Sequence, residues 1–525
     1  MPTAASGSAA GPAPPPAPPP AETALASEQP APGATRTAVA RGAAWQGVAQ
    51  WGGKLIGFGV YAAMARILGP RVFGLVAVAW VYVGFTQIFA QQGLGAALIQ
   101  RLRLEPEHMD TAFWLGMAVA CALCGASFAA SGWIAALFRT PAAAPLVGWL
   151  SLMLPIYVLA SVPGALLARQ LRFRPVAAST LAATLAGGAV GLAMAWTGFG
   201  AWSLVGQGLL GAAVTCGWQA AAAGWRPRLR FSRRHARDLY SVSLGLTGRD
   251  VLWFFAGRSD TAFVAYGFGP VALGAYSIAR KLTNTLCDGT VGAAQSAALP
   301  AISRLQEDLP RFRQAVANFC EWSAFLTLPI LAGAGVAAPE LVRCIAGPKW
   351  MAAVPALRAL AAYGCVRVLL GYVYPVLTAA GRMRLYLALE IGLAATTVAA
   401  CAIALRWNAA GVAWALTVAL LAFGTVQTTV ICRTILRTPV TAFLRPFIAP
   451  VACAALMAAA AAAARAMAAP VLGAWPTLAL TALAGAAAYL AAVAAVRRDF
   501  LTRFAALARA VVRRQSGEAE AAAAR

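Results

Sequence analysis

The sequence predicts an all-α membrane protein, a polytopic bundle of about 14 transmembrane helices. Its residues are 61% hydrophobic and only 11% charged, with a mean hydropathy of +0.70, whereas soluble domains carry about 25% charged residues. Apolar stretches of about 20 residues recur between positions 43 and 496, each ended by a short cluster of Arg, Pro or Gly. This is the hydropathy pattern of spanning helices, and a β-barrel would instead show alternating segments of about ten residues.

The hydropathy pattern divides the chain into its spans. The predicted helices cover 43–65, 73–99, 111–133, 146–168, 176–197, 200–223, 240–265, 271–299, 317–337, 354–378, 385–405, 409–431, 447–469 and 473–496. Residues 1–40 are rich in Ala and Pro and lack a basic stretch followed by an apolar core, so we expect a disordered cytoplasmic tail rather than a signal peptide. The segment 497–525 is first basic and then Ala/Glu-rich, and its Arg-bearing part is expected to lie on the anionic cytoplasmic leaflet.

Positive charge alternates between successive connections and predicts the orientation. With the N-terminus inside, the cytoplasmic loops hold 19 Lys and Arg residues and the opposite loops hold six. Cytoplasmic loops carry the excess of positive residues in membrane proteins. The sequence therefore predicts a multi-pass inner-membrane protein with both termini in the cytoplasm.

A short repeat predicts two related lobes. The segment 68–74 (LGPRVFG) after the first helix matches 268–274 (FGPVALG) after the seventh, 200 residues later. Six helices separate the two copies, and this even number gives both halves the same orientation, as in parallel repeats. We expect an N-lobe at 41–223, a basic hinge loop at 224–239, a C-lobe at 240–432 and two extra helices at 433–496.

Two classes of site are not supported by the sequence. The formal charge of +25 comes from Arg residues between apolar runs, whereas a nucleic-acid binder concentrates them on a soluble module, so we expect no nucleic-acid partner. Cys121 and Cys124 form one C-x-x-C inside a predicted helix, and the chain has only two His. Without a second ligand pair we expect small-residue packing there, no metal and no cofactor.

Ionisable residues inside predicted spans are the candidate site, because they are costly in a membrane and usually line a water-filled cavity or pair with one another. The first half has no carboxylate within a helix, yet its first helix carries Lys54 on the same face as Gln50. The second half has both signs. The candidate substrate-binding residues are Lys54, Gln50, Arg249, Arg258, Arg280, Lys281 and Arg367. Their positive excess suits a phosphate-bearing substrate.

Four carboxylates accompany these cations. They are Asp250, Asp260, Asp288 and Glu390. One interpretation makes them structural partners, with Asp250 pairing Lys281, Asp288 pairing an Arg and Glu390 opposing Arg367. The other interpretation gives them a role in coupling to a proton or sodium gradient. The sequence leaves both open.

Five blocks in order resemble one family. They are 68–74 continuing to GAALIQR at 95–101, 163–174, 198–205, 225–232 and 272–279. Together they are similar to the Wzx-type polysaccharide flippases, within the colanic acid and teichuronic acid exporter branch of the multidrug/oligosaccharidyl-lipid/polysaccharide superfamily. The resemblance covers about 40–440.

The resemblance implies two six-helix lobes around a central cavity with alternating access. It implies that the substrate is an undecaprenyl-pyrophosphate-linked oligosaccharide, flipped for the synthesis of exopolysaccharide, capsule or lipopolysaccharide. Expected partners are this lipid-linked oligosaccharide, membrane lipids, and a polysaccharide polymerase or chain-length and export proteins.

Two other functions remain open. A cation-coupled multidrug antiporter of the same superfamily would need buried carboxylates, which the first half lacks. A membrane glycosyltransferase or polymerase would need acidic catalytic residues in a sizeable external loop, and the predicted external loops are short. We therefore expect a transporter and no enzyme.

Overall fold

A computed structural model describes residues 52–101, 104–306 and 308–497, with the side chains of 100, 241–242, 246 and 288–301 left out. Its described elements are helical. In the first half they are α1 (52–67), α2 (Pro70–Gln91), α3 (Leu94–Gln100), α4 (Pro106–Leu137), α5 (Ala144–Ser151), α6 (Met153–Arg169), α7 (Phe173–Trp196) and α8 (Ala201–Ala223). In the second half they are α9 (Arg233–Ser303), α10 (Leu309–Val336), α11 (Ala338–Ile345), α12 (Val354–Leu369), α13 (Val373–Ala379), α14 (Met383–Ala404), α15 (Ala409–Ile431), α16 (Val440–Ala468) and α17 (Ala474–Val496).

The all-α fold is confirmed, and in the described part of the chain eleven helical segments are long and apolar enough to cross a membrane. Two predicted spans fall outside those eleven: α8, and α1 in its described part. The helix α9 contains the predicted seventh and eighth spans, since 71 residues would extend for about 105 Å if straight. It turns at Gly269, whose positive φ of 74° breaks the helical path.

The predicted hinge loop is shorter than expected. Residues 224–232 lie outside the helices, but residues 233–239 form the first two turns of α9. This segment contains Arg, Ala and Leu, which are good helix formers, and its side chains other than Leu239 are at least partly exposed. The structure thus begins the seventh helix about seven residues before the apolar pattern does.

The helices pack as two groups. In the first group α7 packs against α8, while α2 contacts α4, α5 and α6. In the second group α9 contacts α12, α14 and α15. The main contact between the two groups is α2 against α9. The described helices thus form two packing groups, and the predicted lobes and their boundaries stay predictions.

The repeated motif lies at the contact between the groups. Pro70 and Pro270 each begin a helical segment, and Gly74 and Gly274 lie one turn later. A Cβ on Gly74 would overlap the carbonyl oxygen of Pro270, and a Cβ on Gly274 would overlap that of Pro70. The two copies of the motif therefore cross backbone to backbone, at a separation that glycine permits.

Side chains around this crossing close the same end of the molecule. Trp350 is fully buried, donates from Nε1 to the carbonyl of Ala65 at 2.9 Å, and packs edge-on to Phe73 at 5.2 Å. Lys349 donates to the carbonyl of Ile67 at 3.1 Å. The C-terminal carbonyls of α1 are thus capped by residues from the other half of the chain.

The last two helices attach to the outside of the second group. The helix α16 packs on α10, and α17 packs on α16. Arg465 contacts Glu340 on α11 at 2.8 Å, and Arg497 contacts Glu321 on α10 at the same distance. Two ion pairs therefore fix α16 and α17 to the second group.

The close approach of α2 and α9 can be tested by substituting its two glycines. We expect Gly74→Ala and Gly274→Ala each to separate α2 from α9, because the added methyl group would overlap a backbone carbonyl that cannot move alone. Hydrogen–deuterium exchange should show faster uptake in the peptides around 62–75 and 268–278. Gly59→Ala is the matched control, since a Cβ there meets nothing within 4 Å. Unchanged uptake in both crossing variants would contradict the close approach.

Candidate functional site: a cationic cavity between the two halves

A cavity of about 1640 Å³ lies between the two helix groups. Its walls come from α1, α2, α6, α7 and α8 on one side and from α9, α12, α13, α14 and α15 on the other. In α1 the lining residues fall within 53–61, whereas the packed crossing involves 64–68. The cavity therefore lies on the side of the crossing from which α1 starts.

Six cationic side chains and two carboxylates are among the lining residues. The cations are Lys54, Arg249, Arg258, Arg280, Lys281 and Arg367, and the carboxylates are Asp250 and Glu390. The structure thus brings together six of the seven candidate binding residues, from both halves of the chain. Gln50 lies outside the described residues.

The most enclosed cation, Arg280, is held by a buried network. Its guanidinium lies 2.9 Å from the Asp260 carboxylate, with exposed side-chain fractions of 13% and 1%. Tyr276 donates its hydroxyl to the same carboxylate at 2.5 Å, and Arg280 also donates to the carbonyl of Gly257. The two arms of α9 are therefore joined across the Gly269 turn by an ion pair with further hydrogen bonds.

Asp260 forms its contacts with Arg280 and Tyr276 and not with the cavity. It is not among the cavity-lining residues, and its charge is balanced by Arg280. The ring of Tyr363 on α12 lies 5.4 Å from the Arg280 guanidinium carbon. Arg280 consequently lines the cavity, but its charge is balanced by Asp260, which does not line it.

Arg249 is also compensated, by its neighbour in sequence. Its guanidinium lies 2.7 Å from the Asp250 carboxylate, and both side chains are about half exposed. The predicted pair between Asp250 and Lys281 does not form, because Arg249 occupies the carboxylate instead. In a solvated cavity such a pair is readily separated, since exposed ion pairs contribute about 0–1 kcal/mol.

Three lining cations make no ion pair within the described residues. Arg258 lies over the ring of Trp253 at 5.9 Å, and Lys281 lies over the ring of Tyr61 at the same distance. Arg367 is exposed at the C-terminal end of α12. Aromatic faces attract cations without neutralising their charge. These side chains therefore provide the positive excess of the cavity.

The remaining carboxylates differ in their surroundings. Glu390 lines the cavity from α14 and forms no ion pair in the described part of the chain. The predicted opposition of Glu390 and Arg367 therefore does not form a salt bridge. Asp288 lies outside the described side chains, so its predicted pairing with an Arg stays a prediction.

The cavity wall also contains uncharged polar side chains that are not among the predicted site residues. Gln207 on α8 and Gln427 on α15 line it, and Gln427 is buried. The rule applied to charged residues in spans could have identified them, since uncharged amides in apolar helices also need polar partners.

Both histidines meet at the start of α4, away from the cavity. His235 Nε2 lies 2.9 Å from the Glu105 carboxylate, and the two imidazole rings are 4.2 Å apart. His108 Nδ1 accepts from the Glu105 backbone N–H at 3.2 Å, while Arg101 contacts its Nε2. An imidazole accepts at only one nitrogen, so only one of these two contacts can be a hydrogen bond to His108, and the cluster packs the start of α4 against the start of α9.

Comparison with known proteins identifies the family. The family model Polysacc_synt_3, described as polysaccharide biosynthesis protein, matches residues 63–355, more than half of the chain. The chain belongs to this family. The match includes both copies of the crossing motif and most of the cavity-lining cations.

Three curated relatives are similar over part of their length. The chain is 28% identical over 323 residues to the succinoglycan biosynthesis transport protein ExoT of Rhizobium meliloti, covering 62% of this chain and 65% of the relative. It is 24% identical to the lipopolysaccharide biosynthesis protein WzxC of Escherichia coli, covering 62% and 67%. It is 25% identical to the teichuronic acid biosynthesis protein TuaB of Bacillus subtilis, covering 57% and 62%. The chain thus matches about two thirds of each relative.

Solved structures share the fold. The lipid II flippase MurJ in an inward closed conformation matches with a TM-score of 0.73 at 13% identity, over 87% of this chain and 99% of that one. An inward-facing multidrug resistance MATE family transporter of the MOP superfamily matches with a TM-score of 0.59 at 16% identity, over 75% and 95%. At these identities the likeness concerns the fold alone, and it agrees with the predicted bundle of transmembrane helices.

The buried network generates the second prediction. We expect Asp260→Asn to lower the free energy of unfolding by about 3–5 kcal/mol, because it leaves the Arg280 charge without its counter-charge. Thermal unfolding in detergent measures the effect. Asp250→Asn is the control, since its pair with Arg249 is half exposed and should contribute about 0–1 kcal/mol. The double variant Asp260→Asn/Arg280→Gln should recover part of the loss, and equal losses in single and double variants would contradict the pairing.

Proposed function

We propose that the protein flips a polyprenyl-diphosphate-linked oligosaccharide from the cytoplasmic to the outer leaflet of a bacterial inner membrane. The positive excess of the central cavity is the observation that carries this proposal. Six cations and two carboxylates line it, and three of the cations form no ion pair in the described part of the chain. A diphosphate brings several negative charges to one point and is bound through charge-assisted hydrogen bonds.

The cavity size fits an oligosaccharide better than a small drug. Pockets for drug-sized ligands measure about 300–1000 Å³, and this cavity has about 1640 Å³. Its wall also offers Tyr157, Tyr363 and Tyr374 beside the amides of Gln207 and Gln427. Aromatic rings with polar groups nearby can pack on sugar rings and bind their hydroxyls. The polyprenyl chain, being apolar, remains in the surrounding lipid.

The individual cations take different parts in this proposal. Arg258, Lys281 and Arg367 bind the diphosphate, because no carboxylate in the described part of the chain competes for them. Arg249 joins them when the substrate displaces Asp250. Arg280 fixes the two arms of α9 through Asp260 and contributes less to binding. Lys54 lies on the opposite wall, from α1, and brings the first half of the chain to the same ligand.

Translocation requires the cavity to face each leaflet in turn. With the predicted orientation, the crossing of Gly74 and Gly274 closes the outer end, and the cavity lies toward the cytoplasm. Opening the outer end separates α2 from α9 and removes Trp350 from the end of α1. Such a movement of two rigid helix groups about a fixed site is the usual form of alternating access.

Glu390 is our candidate for ion coupling. It faces the cavity without an ion pair in the described structure. A carboxylate in a membrane span is costly, so such a residue usually has a function. We propose that it exchanges a proton or a sodium ion as the cavity changes sides. Asp250 is available for the same exchange once Arg249 binds the substrate, whereas Asp260 is balanced by Arg280.

The third prediction concerns the unpaired cations. In a strain lacking the native gene, we expect the triple variant Arg258→Ala/Lys281→Ala/Arg367→Ala to lose polymer export, because about 1.5–3 kcal/mol is associated with each hydrogen bond to a charged group. Surface polysaccharide measures export, and immunoblotting of membranes measures the amount of protein. Three single variants rank the cations.

Arg358→Ala is the matched control for these variants. Arg358 is exposed on the same helix as Arg367 but does not line the cavity. Export should stay at the wild-type level in this variant. Normal export by the triple variant at normal protein levels would contradict the charge assignment. Dye or drug efflux by the wild-type protein without polymer export would instead support the antiporter.

The fourth prediction concerns coupling. We expect Glu390→Gln to retain substrate binding, since it removes a negative charge that repels the diphosphate, but to lose the response of transport to an imposed ion gradient. Proteoliposomes with a proton or a sodium gradient provide the measurement. Glu390→Asp, which keeps a carboxylate at this position, should retain part of the response of transport to the gradient. A gradient response unchanged in Glu390→Gln would remove this residue from the coupling mechanism.

A further inference from the structure

The basic segment 226–237 connects the two halves of the chain and is fixed against the start of α4. Its Arg228 backbone N–H donates to Asp110 at 3.0 Å, and the indole of Trp114 donates to the Arg228 carbonyl at 2.7 Å. The Ser232 backbone N–H donates to Thr111 at 3.2 Å. The segment therefore follows the first turns of α4 rather than extending into water.

The length of α4 indicates the depth at which this contact occurs. Its 32 residues extend for about 48 Å, whereas the hydrocarbon core of a bilayer is about 30 Å thick. The end turns of α4 therefore lie among the lipid headgroups. Trp114, which holds the segment, is of the residue type enriched at this depth.

Apolar and cationic side chains alternate in the first part of the segment. Leu229 is 89% exposed and Phe231 is 58% exposed, although neither belongs to a candidate membrane span. The arginines of the segment are all exposed: Arg226, Arg228, Arg230, Arg233, Arg234 and Arg237. In an extended chain, alternate residues point to opposite sides. Leu229 and Phe231 can thus enter the lipid on one side, while Arg230 points to the other side and lies 3.5 Å from Glu107. Arg226 and Arg234 are exposed and form no ion pair in the described part of the chain, so they can contact lipid phosphates.

We propose that the basic segment is a binding surface for anionic phospholipids. Apolar insertion and attraction of basic side chains to anionic headgroups are the two contributions to interfacial binding. The occupant is a phospholipid rather than the transported lipid, because no residue of the segment lines the cavity. Since the segment leads from α8 into α9, bound phospholipid anchors the connection between the two halves at the membrane surface.

The experiment uses the full chain in nanodiscs of phosphatidylcholine with increasing fractions of phosphatidylglycerol. Hydrogen–deuterium exchange of the peptides covering 225–237 should slow as the anionic fraction rises. In Arg226→Gln/Arg234→Gln the protection should need more phosphatidylglycerol, since each arginine near an anionic surface accounts for about fivefold in binding. In Leu229→Ser/Phe231→Ser the protection of these peptides from exchange at the highest phosphatidylglycerol fraction should be lower than in the wild-type protein.

Arg382→Gln/Arg384→Gln is the matched control. Both arginines are exposed at the start of α14, beside another connection predicted to be cytoplasmic, and their removal should leave the exchange of 225–237 unchanged. Equal exchange at all phosphatidylglycerol fractions would overturn the proposal. So would protection that appears only when a polyprenyl diphosphate is added, which would assign the segment to the transported lipid.

Discussion

The close approach of Gly74 and Gly274 is the constraint on which the arrangement of the helices depends. Each glycine lies against the backbone of the proline in the other copy of the motif, so α2 and α9 meet without side chains between them. This contact sets the distance between the two halves at one end. The space left at the other end is the cavity, whose walls then follow from the directions of α1, α2 and α9.

The electrostatics of the cavity depend on which cations already have a counter-charge. Arg280 is balanced by Asp260, and Arg249 by Asp250. Arg258 and Lys281 instead lie over aromatic rings, which hold a cation in place but leave its charge available. Arg258, Lys281 and Arg367, which form no ion pair in the described part of the chain, thus contribute more to the positive charge of the site than Arg249 and Arg280 do. A polyanionic headgroup is therefore the ligand that we propose for this cavity.

The sequence predicts the helices well because the membrane fixes their length and the loops carry the charge bias. It also indicates which cations line the cavity, since ionisable residues in spans usually face a water-filled cavity or one another. It does not predict the pair of Asp260 and Arg280, because no single-helix periodicity connects them. Asp260 precedes Gly269 by nine residues and Arg280 follows it by eleven, so treating Gly269 as a turn between antiparallel arms would have placed them opposite each other. The ion pairs of Glu321 and Glu340 with the last helices depend on tertiary packing and leave no sequence signal.

Flipping of a lipid-linked oligosaccharide by the purified protein tests the central claim most directly. Proteoliposomes would carry a fluorescent polyprenyl-diphosphate oligosaccharide in both leaflets. A membrane-impermeant quencher added outside would quench the outer leaflet only, so the remaining fluorescence would measure the lipid in the inner leaflet. We expect the wild-type protein to expose the lipid of the inner leaflet to the quencher, and a variant with Ala at Arg258, Lys281 and Arg367 not to do so. A neutral polyprenyl glycoside moved equally well, or a triple variant as active as the wild type, would contradict a cavity that selects its substrate by charge.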